Sequence, residues 1–256
     1  MNHDPGPRTL LTGASSGIGL ELGRIFARNK HDLILVARSK EKLEQLAREW
    51  SAELGVKVDV VALDLAKPGA ADALAGREID ILVNNAAFGL NGKFVDLDLR
   101  RQLEMIELNV TALTHLTGLF LPSMVKRGRG RILNVASTAS FQPGPMMAVY
   151  YATKAYVLSL SEAIAEELRG TGVTVTALCP GPTATDFTRV AGMQNSKMHR
   201  RFAADAKSVA EKGYRALMKG RRILVPGLSN KLTAMSVRFS PRGLVTRIVK
   251  GINSQG

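Results

Sequence analysis

The sequence predicts one α/β domain built on a doubly wound, parallel sheet of about seven strands with helices on both faces. Short apolar runs alternate with segments of helical periodicity, which is the pattern of repeated strand–helix–strand units. The apolar runs are continuous rather than alternating with polar residues, which indicates strands buried on both faces of a parallel sheet. A length of 256 residues and an apolar content of 45% suit a single domain of this class.

Seven strands are predicted from these runs. They are RTLLTG (8–13), DLILVAR (32–38), VKVDVVALD (56–64), IDILVNNA (79–86), GRILNVAS (130–137), VTVTALCP (173–180) and RRILVPG (221–227). Helices are predicted over about 17–29, 39–54, 97–126, 148–169 and 208–218, with a short helix after Pro68. Ligands of such sheets bind beyond the carboxyl ends of the strands, so the functional motifs are expected there.

The excess positive charge lies near the C-terminus. Residues 187–256 hold 15 Lys and Arg against 2 acids, whereas residues 1–186 hold 20 of each. Residues 1–227 are predicted to form the domain, with a substrate lid at about 186–207. Residues 228–256 are predicted to form a basic amphipathic helical tail with apolar side chains at helical spacing, namely Leu228, Leu232, Met235, Phe239, Leu244, Val245, Ile248 and Val249. We expect it to dock on its own domain or a neighbouring subunit; peripheral contact with an anionic membrane is the less favoured alternative.

Cysteine content, the N-terminal segment and net charge indicate the class of protein and its cellular compartment. Cys179 is the only cysteine, which excludes an internal disulfide, and it is interpreted as a small buried hydrophobe. The first residues lack the pattern of a secretory signal, and no run of 18 apolar residues exists. We therefore expect a cytoplasmic protein without a transmembrane helix. A net charge of +13 admits DNA binding, but no helix-turn-helix or zinc-finger spacing supports it, so no nucleic-acid partner and no metal are expected.

A glycine-rich turn, TGASSGIG (12–19), follows the first strand and opens the first helix. Its glycines would permit a tight turn, a close approach of pyrophosphate to the backbone and close helix–strand packing. Free N–H groups and the helix dipole then favour the phosphates of a dinucleotide. A turn without a ligand is the alternative, which this position disfavours. The residues predicted to contact the cofactor are Gly13, Ser15, Ser16, Gly17, Ile18 and Gly19.

The ends of the next strands carry further candidate cofactor contacts. Arg38 ends the second strand, where an enzyme that prefers NAD(H) would place a carboxylate for the ribose hydroxyl. A guanidinium can instead grip a 2′-phosphate, which predicts NADP(H) over NAD(H); a solvated Arg is the alternative. Asp64 with Leu65 is placed to contact adenine. Asn84 to Ala87, with Asn85, Ala86 and Ala87 as candidates, could line the adenosine ribose or serve only as turn residues.

Four side chains, those of Asn109, Ser137, Tyr150 and Lys154, form a set suited to proton transfer beside a nicotinamide. Tyr150 and Lys154 lie four residues apart on one helix face, and Ser137 ends the fifth strand. A tyrosine acid needs a pKa lowered from about 10 by ~3 units, or ~4 kcal/mol. The ammonium of Lys154 and the nicotinamide ring can supply this.

The remaining roles follow from the same chemistry. Ser137 would orient the substrate oxygen, and Asn109 would hold a water that links Lys154 to solvent. Tyr151 is a rival acid, because it lies three residues before Lys154. An exposed helix face is the alternative reading of the Tyr and Lys pair.

In these motifs the chain resembles the short-chain dehydrogenase/reductase family, whose fold is Rossmann-type. The matching pieces cover about residues 8–190 and are TGASSGIG (12–19), NNA (84–86), Asn109 in LNVTAL, NVAS (134–137), YYATK (150–154) and PGPTAT (180–185). The resemblance implies that Asn109, Ser137, Tyr150 and Lys154 are the catalytic residues, which selects Tyr150 over Tyr151. It also implies a homodimer or homotetramer packed through long helices. The residues implied to hold the nicotinamide carboxamide are Pro180, Gly181, Thr183 and Thr185.

Two positions depart from the family pattern. Ala87 stands where the family has glycine after NNA, and this change removes no reacting group. Ser16 stands where many NADP(H) members carry a basic residue, so the predicted preference for NADP(H) depends mostly on Arg38.

Apolar residues near the predicted mouth of the site favour an apolar carbonyl or alcohol substrate, with lid packing as the alternative. They are Phe141, Met146, Met147 and Phe187. Lys197, Arg200 and Arg201 could bind an acidic carrier such as coenzyme A or acyl carrier protein, although a solvated basic face is the favoured explanation. Three hypotheses follow: an NADP(H)-dependent carbonyl reductase, a 3-oxoacyl-thioester reductase, and a non-catalytic NADP(H)-binding sensor.

Overall fold

The computed structural model describes residues 6–193 and 203–254 and contains a seven-stranded, fully parallel sheet. The strands are β1 (Arg8–Thr12), β2 (Asp32–Ala37), β3 (Val58–Ala62), β4 (Ile81–Asn84), β5 (Gly130–Val135), β6 (Val173–Leu178) and β7 (Ile223–Leu224). Their spatial order is β3-β2-β1-β4-β5-β6-β7. The order reverses between β1 and β4, which is the switch point where a doubly wound sheet opens a crevice for a ligand. The predicted fold class is confirmed.

Helices connect the strands as the periodicity predicts. They are α1 (Gly17–Arg28), α2 (Lys40–Leu54), α3 (Leu99–Ile106), α4 (Leu113–Lys126), α5 (Ala148–Glu167), α6 (Phe187–Val190), α7 (Ala206–Met218), α8 (Leu228–Ser236) and α9 (Arg242–Asn253). The short helix after Pro68 is a 3₁₀ turn, Ala70–Leu74. The last strand is shorter than predicted: only Ile223 and Leu224 pair with β6 at the edge of the sheet.

The core lies on both faces of the sheet. On one face, Leu22 and Phe26 of α1 pack with Trp50 of α2 and Leu217 of α7. On the other face, residues of α4, including Phe120, pack against β4 and β5. Helices on both faces explain why the strands read as continuous apolar runs.

The predicted helix over 97–126 is interrupted by a π-helical turn, Glu107–Ala112, that joins α3 to α4. By length and composition alone, the continuous stretch Leu99–Lys126 could cross a membrane, with a mean hydropathy of 1.2 over its most apolar window. In this fold, Leu116, Phe120 and Met124 lie buried in the core against the sheet. A helix buried in a protein core can have the same length and apolar composition as one that crosses a membrane.

Candidate active site

A cavity of about 900 Å³ opens at the carboxyl ends of the strands. This volume is in the range of small-molecule and cofactor pockets. Most residues predicted to bind the cofactor line it, namely Gly13, Ser15, Ser16, Gly17, Ile18, Arg38, Asp64, Leu65, Asn85, Ala86, Ala87, Pro180, Gly181, Thr183 and Thr185. Three of the four predicted reacting residues line the same cavity, namely Ser137, Tyr150 and Lys154.

The glycine turn needs glycine for two different reasons. Gly13 and Gly17 have φ of +67° and +55°, the left-handed region that side chains rarely adopt. Gly19 lies beneath the turn rather than in the cavity lining. A Cβ there would lie 2.1 Å from the carbonyl oxygen of Gly13, so helix and strand could not approach as they do. Ser16 precedes α1 and makes no capping hydrogen bond, so its hydroxyl can reach a ligand.

Hydrogen bonds of the Thr12 side chain connect the glycine turn to the end of β4. Its Oγ1 accepts hydrogen bonds from the backbone N–H groups of Asn85 and Ala86, both at 3.0 Å, and donates to the carbonyl of Val83 at 3.2 Å. Nδ2 of Asn85 donates hydrogen bonds to the backbone carbonyls of Thr12 at 3.0 Å and Gly13 at 3.2 Å. The sequence indicates Thr12 only as part of the motif, whereas in the structure it links two loops that line the cavity.

Asn84 has a different role from its neighbour Asn85. It is buried, and its Nδ2 donates to Oδ1 of Asn134 at 2.9 Å and to Oγ1 of Thr117 at 3.2 Å. Asn134 in turn donates to Oγ of Ser161 at 2.9 Å. The expectation that Asn84 lines the ribose site is therefore wrong, because its side chain points into a buried polar network beneath the cavity.

Arg38 lies at the cavity rim with an exposed side chain. Within residues 6–193 and 203–254, no hydrogen bond or ion pair occupies its guanidinium. The segment after β2 reads Ala37, Arg38, Ser39 and Lys40, so no carboxylate follows the strand. The end of β2 is therefore electropositive and has free donors for an anionic group.

Tyr150, Ser137 and Lys154 line the same cavity. The hydroxyl of Ser137 lies near enough to the phenol of Tyr150 to affect its acidity, and Nζ of Lys154 lies 5.9 Å from the centre of the Tyr150 ring. Lys154 is 4% exposed and donates to the carbonyl of Val135 at 2.7 Å. Ser137 lies two residues after β5, and its Oγ accepts from the backbone N–H of Ala139 at 3.1 Å, which fixes its side chain.

Burial dominates the acidities of these groups. It raises the pKa of Tyr150 above its ordinary value, and the nearby hydroxyl of Ser137 offsets part of this rise. Burial also lowers the pKa of Lys154 to about 8, because the charged form is poorly solvated there. The side chains of this protein alone therefore do not give Tyr150 the near-neutral pKa that we expected.

Asn109 lies outside the cavity lining, in the π-helical turn. Its Nδ2 donates to the carbonyl of Phe88 at 3.0 Å and to Oγ1 of Thr153 at 3.1 Å, and its Oδ1 accepts from the N–H of Phe88 at 3.2 Å. Oγ1 of Thr153 donates to the carbonyl of Tyr150 at 2.7 Å. Both donors of the amide are thus used, and Asn109 ties the loop after β4 to the helix that carries Tyr150 and Lys154.

Tyr151 faces the tail instead of Ser137. Its phenol donates to Oδ1 of Asn253 in α9 at 3.3 Å, and its ring packs on Gly144, where a Cβ would lie 2.1 Å from the Tyr151 ring. Sequence reasoning did not find Asn253, since its partners lie more than 100 residues earlier. The two adjacent tyrosines therefore have distinct partners.

The loop after β6 forms one side of the cavity. The carbonyl of Pro180 accepts from the N–H of Thr138 at 2.9 Å, and Oγ1 of Thr183 donates to the carbonyl of Gly181 at 2.9 Å. A Cβ on Gly181 would lie 2.6 Å from the side chain of Asn230 in α8, so this glycine lets the tail approach.

Two of the four predicted substrate residues line the cavity, and two do not. Met147 and Phe187 form its apolar wall with Met193 and the ring of Tyr150, which lies 5.1 Å from that of Phe187. The other two lie elsewhere: Phe141 packs against the core around Leu113 and Val157, and Met146 lies in a strained turn with φ of +68°. Lys197, Arg200 and Arg201 lie outside the described residues.

Part of the tail forms the cavity wall. Ser229, Asn230 and Thr233 of α8 line the cavity, as do Val249, Ile252 and Asn253 of α9. The inner faces of α8 and α9 bury Ala234, Val245 and Val249. The other apolar side chains expected to dock do not do so on this domain: Leu228, Leu232, Met235, Phe239, Leu244 and Ile248 are all at least half exposed.

Cys179 is fully buried behind the site, and burial raises the pKa of its thiol to about 12. This agrees with its interpretation as a small hydrophobe.

Comparison with known proteins decides the family. A profile of short chain dehydrogenases matches residues 8–196. The chain belongs to the short-chain dehydrogenase/reductase family. The resemblance inferred from the motifs is therefore confirmed, and the chain is an oxidoreductase of this family.

Similar proteins span several named activities. The ketoacyl reductase HetN of Nostoc sp. is 36% identical over 69% of this chain and 63% of that protein. The very-long-chain 3-oxoacyl-CoA reductase of Homo sapiens is 34% identical over 72% of this chain and 62% of that protein. The chain thus spans less than two thirds of the length of these relatives. The short-chain dehydrogenase from Sphingobium yanoikuyae in complex with NADPH has a TM-score of 0.84 and 34% identity, covering 93% of this chain and 95% of that chain.

Proposed function

We propose that the protein is an NADP(H)-dependent oxidoreductase that reduces a ketone or aldehyde to an alcohol, or catalyses the reverse reaction. One observation carries the proposal: Tyr150, Ser137 and Lys154 line the same cavity as the glycine turn. A pure binding protein has no need of an acid, an orienting hydroxyl and a buried ammonium at one point.

The residues of the cavity fit a nicotinamide dinucleotide. Gly13 and Gly17 leave backbone exposed where side chains would fill the turn, and the N-terminus of α1 supplies N–H donors for phosphate. The free guanidinium of Arg38 supports a preference for the 2′-phosphate of NADP(H). Thr183, Thr185 and the loop at Pro180 and Gly181 would hold the nicotinamide end. When bound, the cofactor supplies or accepts the hydride.

The side chains of the protein would handle the proton. In the reducing direction, Tyr150 donates its phenolic proton to the carbonyl oxygen, while Ser137 hydrogen-bonds the same oxygen and orients it. Lys154 uses one of its three N–H donors on Val135, so the others are free to stabilise the phenolate that remains. A raised pKa of Tyr150 keeps the phenol protonated before transfer, which is the form that this direction needs.

The apolar wall indicates the substrate. Met147, Phe187 and Met193 surround the ring of Tyr150, so a bulky apolar group beside the carbonyl would be well accommodated. A 3-oxoacyl thioester is the second candidate, since one relative above is named a very-long-chain 3-oxoacyl-CoA reductase and the other a ketoacyl reductase.

We also propose a homodimer or homotetramer formed through α3 and α5. Leu99 and Leu103 of α3 are 60% and 55% exposed, and Tyr156 of α5 is 38% exposed. Partly exposed apolar side chains on two adjacent long helices are typical of an interface between subunits. We also propose a cytoplasmic location for the protein.

A substrate screen tests the proposed activity. NADPH and NADH oxidation would be followed with plain ketones, aldehydes and 3-oxoacyl thioesters. We expect turnover with NADPH and weaker turnover with NADH. A clear rate advantage for thioesters would select the second candidate. Tight NADPH binding without turnover of any compound would favour the non-catalytic sensor and count against the proposal.

A further inference from the structure

The outer faces of α8 and α9, with the turn between them, form a surface that the catalytic chemistry does not use. Its exposed apolar side chains are Leu228 (74%), Leu232 (57%), Met235 (50%), Phe239 (85%), Leu244 (52%) and Ile248 (54%). We call these residues, with the basic residues among them, the tail face. Single exposed apolar residues are common, but six within one short segment indicate a contact surface.

The charge of the tail face is entirely positive. Residues 228–256 contain five basic residues and no acid: Lys231, Arg238, Arg242, Arg247 and Lys250. All five are exposed, and none forms a salt bridge with a carboxylate among the residues that the structure describes. Cations without partners, beside exposed apolar side chains, match an anionic surface that has an apolar layer beneath it.

Helix geometry keeps the apolar residues of each helix together. Leu228, Leu232 and Met235 of α8 are four and three residues apart, and Leu244 and Ile248 of α9 are four apart. Each set therefore lies on one side of its helix, and Phe239 lies in the 3₁₀ turn Val237–Phe239 that follows α8. The opposite side is buried against the domain through Ala234 in α8, and through Val245 and Val249 in α9.

We propose that the tail face binds the surface of an anionic lipid bilayer, with its apolar side chains in the headgroup boundary and its cations on the lipid phosphates. A second copy of this chain is the rival occupant. A two-fold interface would bring the same cations of both copies together, and the tail has no acids to neutralise them. Charge complementarity thus favours lipid over a second copy.

The proposal has a consequence for access to the site. Residues of both tail helices line the cavity, including Thr233 of α8 and Val249 of α9. A tail face resting on a bilayer therefore places this wall of the cavity next to the lipid. An apolar substrate dissolved in the bilayer would then have a short path to Met147 and Phe187. The lipid contact itself does not depend on the proposed reaction.

Vesicle co-sedimentation of the full chain tests the proposal. The vesicles are phosphatidylcholine alone or phosphatidylcholine mixed with phosphatidylglycerol, at low and high salt. We expect binding to the mixed vesicles only, weakened by salt. Leu232→Ser with Phe239→Ser should lower the affinity at least about tenfold. Arg238→Gln with Arg247→Gln should lower it roughly 30-fold.

Matched variants elsewhere on the surface are the controls. Val95→Ser removes an apolar side chain exposed to 83%, similar to Phe239, and Lys42→Gln with Arg48→Gln removes two exposed cations of α2. These should bind as the unmodified chain does. Circular dichroism and thermal unfolding verify that each variant is folded.

Three results would overturn the proposal. The first is no sedimentation of the unmodified chain with phosphatidylglycerol vesicles at low salt. The second is binding that Leu232→Ser with Phe239→Ser leaves unchanged, since the apolar residues would then make no contact. The third is a lower solution mass for that variant than for the unmodified chain, with no vesicle binding by either, which would assign the tail face to a second copy.

Discussion

The phenol of Tyr151 donates a 3.3 Å hydrogen bond to Oδ1 of Asn253, which joins the neighbour of the proposed acid to the last helix of the chain. Asn253 is 3% exposed and uses its other groups as well. Its Nδ2 donates to the carbonyl of Pro145 at 2.9 Å, and its carbonyl accepts from Nδ2 of Asn91 at 3.0 Å. Three separate segments, at Asn91, Pro145 and Tyr151, are therefore joined by one residue of α9.

Replacing Asn253 tests this junction. Asn253→Ala leaves the partners at Tyr151 and Pro145 without their hydrogen bonds, so we expect a loss of about 1–3 kcal/mol in the free energy of unfolding. The KM of the carbonyl substrate should rise while that of NADPH changes little. Denaturant unfolding and steady-state kinetics measure both. Ser254→Ala, at the exposed neighbour, is the control, and equal behaviour of the two variants would contradict the role of Asn253.

Replacing Arg38 tests the cofactor preference. A guanidinium bound to a phosphate contributes about 1.5–3 kcal/mol, so Arg38→Ala should raise the KM for NADPH roughly 10- to 100-fold. The KM for NADH should hardly change, because NADH lacks the 2′-phosphate. Arg48→Ala, which removes an exposed arginine of α2, serves as the control. An equal loss for both cofactors in Arg38→Ala would refute a phosphate-specific role.

Replacing Thr12 tests the link between the two cofactor loops. Thr12→Val keeps the shape but removes the oxygen that accepts from Asn85 and Ala86, which should cost about 1–3 kcal/mol of stability. NADPH binding should weaken, because both loops line the cavity. Thr12→Ser keeps the hydroxyl and should retain most of the affinity. Calorimetric titration distinguishes the variants, and tight binding by Thr12→Val would show that the link is dispensable.

The buried lysine predicts a pH dependence. The ammonium of Lys154 is present below its lowered pKa of about 8 and is lost as the pH rises through that value. Since the ammonium is needed to stabilise the phenolate, kcat/KM for NADPH should fall above about pH 8. This parameter reports the enzyme before the cofactor binds. A profile that stays flat between pH 7 and pH 9.5 would show that Lys154 keeps its proton or is not required.

Local patterns in the sequence were sufficient for the fold and for most of the site. Strands buried on both faces appear in the sequence as continuous apolar runs. The glycine turn requires glycine at Gly13 and Gly17, where φ is positive. The spacing of Tyr150 and Lys154 places them on one helix face, and the resemblance to the family pattern selects Tyr150 over Tyr151. These features depend on residues close together in the chain, so they can be read without knowing the fold.

The features that were missed depend on distant partners. Asn109, in the π-helical turn, hydrogen-bonds with Phe88 and Thr153, which lie 21 and 44 residues away in the chain. Asn84 differs from Asn85 only in the direction its side chain takes at the end of β4. The tail residues that dock, including Asn253, are selected by the shape of the cavity wall. The pKa of Tyr150 follows from burial, which only the packed structure reveals.

The most direct test of the proposed reaction compares two adjacent tyrosines. Tyr150→Phe and Tyr151→Phe each remove one phenolic oxygen from the same helix, and steady-state NADPH oxidation is measured for both with NADPH affinity as the control. The account predicts that Tyr150→Phe lowers kcat by ~10²- to 10⁴-fold with NADPH binding retained, whereas Tyr151→Phe lowers it less than about tenfold. Full activity of Tyr150→Phe, or a larger loss in Tyr151→Phe, would contradict the assignment of Tyr150 as the acid.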